Sequence, residues 1–324
     1  MRKRTLAAAV VALLAVVELQ AIGTIKSITL ADGRTTENTL KTPIFDGSAS
    51  PAVRVGTITS AFDRKAKIVR RGTSGFFTKG PEYNLDRGLD LAALLGESMR
   101  AEAVTMGLSA GDNGVRLDGT LHDIYLESKQ IPYGATLFYG YMDVELKYSG
   151  SQSGSERSRV HHYTGSYNAG MGRRDEAEAA LAQLLVHGAQ ELLARVGRKG
   201  LSLKPAAAVE KLQPSGSPAE IYAIGLAGAP AAGTALAAAL ATEKDEDRRE
   251  AMLNAIGLLG ARDAVSTMSG RYDAETEDCR WYTLKALDYI GTDEAMAIIK
   301  SRGTADKDVG PRRLAARVLG KSGT

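Results

Sequence analysis

A single cysteine, Cys279, stands among 324 residues, with only four histidines and one tryptophan. One cysteine excludes an intrachain disulfide and the paired-thiolate zinc sites that depend on Cys–x–x–Cys spacing. Charge of one sign is also lacking. Residues 1–21 carry Arg2, Lys3, Arg4 and Glu18, so without them the formal +3 falls to +1. A nearly neutral chain has no electrostatic footprint for nucleic acid, and none is expected as a partner. The phosphate-cradling and nucleophile motifs are missing too: there is no G-x-x-x-x-G-K-[ST], no G-x-G-x-x-G between strand and helix, and no G-x-S-x-G. No catalytic set, metal site or cofactor is therefore expected.

What is present begins with MRKR and an apolar run, Leu6–Val17, of 12 residues. Such a run falls short of the about 20 residues a membrane span needs, and reads as a signal peptide over 1–21, with Leu19-Gln20-Ala21 as the cleavage site. The expected address is export to the periplasm or cell envelope, with no transmembrane domain after cleavage. Cys279 lies in a helical pattern and is expected as a small buried apolar residue.

Residues 22–50, rich in Thr, Ser, Gly and Asp, read as an extended lead-in with one edge strand. Residues 51–197 read as an α+β domain: a mixed or antiparallel sheet with two helices on one face. Alternation in 53–62 predicts a central strand with Val53, Val55, Thr57 and Thr59 on one face. A loop follows over 63–87, then a helix over 88–106 closed by Gly107. Strands are expected at 115–126, 134–148 and 158–167, and a second helix at 175–196. In the second of these strands Phe138, Met142, Val144 and Leu146 share one face, and Tyr139, Tyr141, Asp143 and Glu145 the other.

Residues 198–216 read as a linker, and 217–324 repeat. AIGLAG ends at Gly228, AIGLLG at Gly260, ALDYIG at Gly291 and ARVLG at Gly320, spacings of 32, 31 and 29 residues. An Ala-rich stripe before each glycine, at this period, predicts an all-α solenoid of stacked helical hairpins. Helices are expected at 218–226, 231–242, 247–259, 263–270, 276–290, 293–300 and 309–319, each long unit ending at a glycine in the left-handed conformation.

Two resemblances follow from particular residues. The line from Val309 to Gly320, with Leu253/Leu284 and Ala255/Ala286 in the two preceding units, resembles the HEAT-repeat family, especially its short bacterial form. Val53-Arg54-Val55-Gly56 with Asp63, Gly107-Leu108, Gly119-Thr120-Leu121 and Ala180-Leu181 resemble small envelope proteins of the YajG kind, related to the N-terminal domain of TolB. This chain departs from them in having no lipid-anchoring cysteine after the apolar run. The resemblances imply a protein partner at the cell envelope.

Candidate contact residues are few. Phe76-Phe77, in the long loop, either mark a binding surface or fold back over the sheet edge. Arg173 and Arg174, after Gly170-Met171-Gly172, either hold an anion at a helix start or are basic side chains of a turn. Trp281 and Tyr282 either anchor a partner in the solenoid groove or stack in the core. His161 and His162 alternate on a strand, cannot chelate one metal together, and are expected as surface and half-buried residues. The resulting expectation is a non-enzymatic, exported scaffold or accessory factor of an envelope assembly. The alternative is a small-ligand or glycan-binding module using loop 63–87 and the Arg173/Arg174 turn.

Overall fold

The computed structural model describes residues 23–35, 39–63, 65–71, 82–108, 114–130, 136–150, 153–165, 173–229 and 231–320. The expected signal peptide at 1–21, Phe76, Phe77 and the expected turn at Gly170–Gly172 lie outside them.

Seven strands form one mixed sheet among the described residues: β1 (Gly23–Ile25), β2 (Val53–Ser60), β3 (Val69–Arg71), β4 (Tyr83–Leu85), β5 (Val115–Gln130), β6 (Thr136–Ser149) and β7 (Gly154–Gly165). The order is β1-β4-β3-β5-β6-β7. The long β5 carries β2 on its first half and β3 on its second, both parallel. β5, β6 and β7 form an antiparallel meander. The expected loop at 63–87 thus contains two short strands.

The strand expected to be central, β2, pairs with β5 alone. Its free edge is taken by Arg100, which donates to the carbonyl oxygens of Gly56 at 3.0 Å and Val55 at 3.4 Å. Its face assignment also changes partway. The register shifts between Val55 and Ile58, where the Asp118 carboxylate accepts the Thr57 N–H at 2.9 Å. This bulge puts Val53, Val55 and Ile58 on the buried side and leaves Thr57 and Thr59 exposed.

Helix α1 (Leu91–Thr105) starts where Asp90 accepts two backbone N–H groups, and buries Leu91, Leu95 and Met99. Gly107 ends it at φ 86°, where a Cβ would stand 2.6 Å from the Phe45 carbonyl oxygen, so only glycine fits. Helix α2 (Arg174–Val196) lies beside α1. Together they cover the sheet face that carries Leu117, Leu121, Ile124, Phe138, Met142, Val144, Leu146 and Val160.

Two segments read as connecting chain are built into this core. In the lead-in, Ile25, Ile44 and Phe45 are buried, and a 3-10 turn at Leu30–Gly33 packs on α2. In the expected linker, Leu201, Leu203 and Val209 are buried, Asp46 N–H donates to the Lys204 carbonyl, and Ala206 N–H donates to that of Ile44. The two segments pair with each other, and this supplies both with backbone partners and a buried apolar side.

Seven helices follow among the described residues: α3 (Pro218–Ala227), α4 (Ala232–Leu240), α5 (Glu246–Leu259), α6 (Val265–Arg271), α7 (Glu277–Ile290), α8 (Asp293–Ser301) and α9 (Val309–Val318). Gly228, Gly260 and Gly291 end α3, α5 and α7 at φ 77°, 63° and 64°. Helices α3, α5, α7 and α9 pack in succession as one layer. The approach is close enough that a Cβ on Gly225 would lie 2.6 Å from the Cα of Ala255, and one on Gly257 2.7 Å from that of Ala286. Ion pairs join successive units: Arg249 and Arg271 share Glu275, while buried Arg280 binds Asp306, which also accepts from the Tyr272 hydroxyl at 2.7 Å. None of the described helices is long and apolar enough to cross a membrane.

Candidate functional site

The second face of the β5–β7 meander carries Tyr125, Glu127, Lys129, Tyr139, Tyr141, Arg159, His161 and Tyr163, and α7 and α9 lie against it. The sheet is therefore covered on both faces at this end, where the sequence suggested helices on one. A stripe along α7, Glu277–Asp278, Trp281, Lys285 and Asp288–Tyr289, repeats every three to four residues and makes the contact. Lys129 Nζ reaches both Glu277 oxygens, at 2.6 and 2.8 Å, and the Tyr139 hydroxyl donates to Glu277 at 3.3 Å. The Tyr163 hydroxyl donates to Asp278 at 3.1 Å. Between these polar pairs the Trp281 ring packs on Tyr139, Tyr163 and Tyr282, with centroids 6.0, 6.2 and 5.2 Å away.

Further along, α7 rounds the free edge of β7 and meets α2. Lys285 Nζ donates to Glu191 at 2.7 Å, both side chains at most 2% exposed. The Tyr289 hydroxyl donates to the second Glu191 oxygen at 2.6 Å and accepts the His161 N–H at 3.4 Å, occupying an edge donor of β7. Arg195 donates to the Arg159 carbonyl at 3.1 Å, and its guanidinium lies 4.3 Å from the Tyr289 ring centre. His161 Nε2 is 3.1 Å from Asp288. At the other side, Arg317 of α9 binds Glu127 at 2.8 Å and lies over the rings of Tyr125 and Tyr141. A small cleft opens here, lined by Glu127, Lys129, Tyr139, Gly310 and Arg313. Arg313 and Arg317 engage Glu127, and Glu277 engages Lys129, so the cleft's charges are neutralised in place.

The electrostatic consequences all trace to burial. It pushes the Tyr139, Tyr222 and Tyr289 hydroxyls up, raises Tyr141 to about 12, lowers Lys285 against the pull of Glu191, and lowers Arg198 to about 10. These groups hold protons tightly or stay paired, and sit in contacts rather than facing a substrate-sized space. The arrangement fastens helices to a sheet.

The residues singled out from the sequence fare differently. Trp281 is 2% exposed, and the surface it anchors is the chain's own sheet; Tyr282 is half-buried beside it. Arg173 and Arg174 are exposed and paired with Asp175 at 2.8 Å and Glu178 at 3.5 Å, acids of the helix they begin. His161 and His162 do face opposite sides but are both buried, because helices close on each side of β7. Cys279 is fully buried, and its thiol is pushed up to about 12. Its sulfur, Glu246 and Glu250 bring ligand atoms within 4.8 Å of one another. Glu191, Lys285 and Tyr289 escaped the sequence reading. For Glu191 a signal was there, in a charge set within the otherwise apolar stripe of α2.

No family model matches the chain, and no curated protein matches it. Among solved structures, it is similar to the crystal structure of protein XCC0632 from Xanthomonas campestris, of the family DUF330. The likeness has 14% identity, covers 49% of this chain and 92% of that one, and has a TM-score of 0.33.

Proposed function

We propose that this is a non-enzymatic, exported protein of the cell envelope that presents a short HEAT-type solenoid to a protein partner. The observation that carries this reading is the division of the helices into two rows. The inner row, α3, α5, α7 and α9, is engaged with α2 and the sheet. The outer row, α4, α6 and α8, keeps Ala235, Ala238, Ser266, Ala297 and Lys300 exposed. The near-contacts of Gly225 with Ala255 and Gly257 with Ala286, and the left-handed glycines, support the HEAT-type assignment. The export half of the proposal rests on residues 1–21. The paired Arg173 and Arg174 lend no support to an anion- or glycan-binding turn.

A photo-crosslinking residue placed in turn at Ala238, Ser266 and Ala297, with Glu97 on α1 as control, tests the proposal in intact cells. One and the same envelope protein is expected in adducts from the three outer-row positions and not from Glu97. Adducts from Glu97 alone, or from no position, contradict it.

A further inference from the structure

We infer that the seam where β7, α2 and α7 meet is a proton-driven latch, closed at neutral pH and opened on acidification. Three of the four histidines, His161, His162 and His187, gather there, each at most 6% exposed. The fourth, His122, is half-buried near Glu145. The rings of His162 and His187 lie tilted against each other with centroids 4.3 Å apart, and the Tyr222 ring of α3 lies 5.6 Å from His187. His162 Nε2 is 2.9 Å from the Thr164 hydroxyl, which donates to Gln183 at 2.8 Å. His187 Nε2, His161 Nδ1 and the Tyr222 hydroxyl have no hydrogen-bond partner among the described residues.

The charges around them are already committed. From α7, Lys285 bears on all three histidines, and Asp288 faces only His161. From α2, Glu191 is shared by Lys285 and Tyr289, while Arg195 and Arg198 add positive charge. Arg317 of α9 adds more beside His161, and Tyr141 of β6 packs on that ring. Glu102 of α1 is held by Arg34 and Gln190, and Glu156 of β7 bears on Arg198. A proton arriving on His162 or His187 therefore meets an ammonium group and no free carboxylate. Relieving it requires α7 to leave the β7 edge, which takes Tyr289 off His161 and draws Trp281 away from Tyr139 and Tyr163.

The direction of the pH dependence follows. Burial lowers all three histidines, His162 to about 3 and His187 well below its ordinary value, with Asp288 opposing the trend at His161. An opened seam returns them toward about 6.5 and so binds more protons than the closed one. Closure is at full strength above about pH 6.5 and weakens as pH falls from there toward about 3.

Trp281 is the only tryptophan and sits in the seam, so its emission reports closure in the full-length protein. Between about pH 7.5 and about pH 4.5 the emission is expected to shift to the red while far-UV circular dichroism keeps its helical signal. In His162→Gln and His187→Phe the midpoint is expected about one unit lower. Should either variant fail to fold at neutral pH, amide hydrogen exchange of the natural protein decides. After correction for the intrinsic rate, protection over 158–165 and 280–290 is expected to fall by about 10-fold or more at the lower pH, and that of α1 to hold. An emission unchanged by acid, a shift that coincides with loss of the helical signal, variants that titrate like the parent, or protection lost evenly would each overturn the latch.

Discussion

Replacing Lys285 with methionine lowers the unfolding free energy by about 3–5 kcal/mol, measured by urea denaturation. Lys285 and Glu191 bind at 2.7 Å with neither side chain more than 2% exposed. Methionine fills much the same volume, so the loss is electrostatic. It leaves the Glu191 carboxylate in a dry interior, with the Tyr289 hydroxyl as its remaining hydrogen-bond donor among the described residues and Arg198 bearing on it without a bond. The double change Lys285→Met, Glu191→Gln is expected to recover most of the loss, since no charge then remains buried and the amide can still accept from Tyr289. Equal losses in the single and double variants would mean that the helices owe their position to packing alone.

Trp281→Ala is expected to cost about 3–5 kcal/mol as well, for a different reason. The indole is 2% exposed and touches Tyr139, Tyr163 and Tyr282, so its removal opens a cavity between sheet and helices and forfeits three ring contacts. The neighbouring bonds from Tyr139 to Glu277 and from Tyr163 to Asp278 hold the walls apart and limit collapse into the space. Trp281→Phe keeps an aromatic body there and is expected to lose less than half as much. The rival reading, in which Trp281 anchors an outside partner, requires an alanine variant that melts like the parent and fails only in binding. Differential scanning calorimetry separates the two.

The elements legible in the sequence were those whose signals are local. The glycines at 228, 260 and 291 announced helix ends, and the alternation from Phe138 to Leu146 gave both faces of β6. What escaped depends on contacts between distant segments. The bulge at Thr57 needs Asp118, and the burial of Phe45 needs the strand-like stretch at Pro205. The second cover of the sheet needs α7, more than 100 residues beyond the tyrosines it meets. An alternating strand with tyrosines and charges on one face reads as half-solvated: His161 and His162 were expected as surface and half-buried residues, and helices expected on one face only left that of Tyr139 and Tyr141 uncovered. Their aromatic bulk, opposite a helix stripe bearing Trp281 and Tyr289, was the available sign that the face is buried.

If α7 and α9 are the second layer of the sheet's core, sheet and helices unfold as one cooperative unit. Urea unfolding of the full-length protein at about pH 7.5, where the seam is closed, followed in parallel by Trp281 emission at the seam and by far-UV circular dichroism over the whole chain, addresses this directly. A single transition with coincident midpoints in both signals is the expected result. Two separated transitions, with half of the helical signal surviving after the Trp281 emission has moved to that of exposed indole, would show two bodies that merely touch.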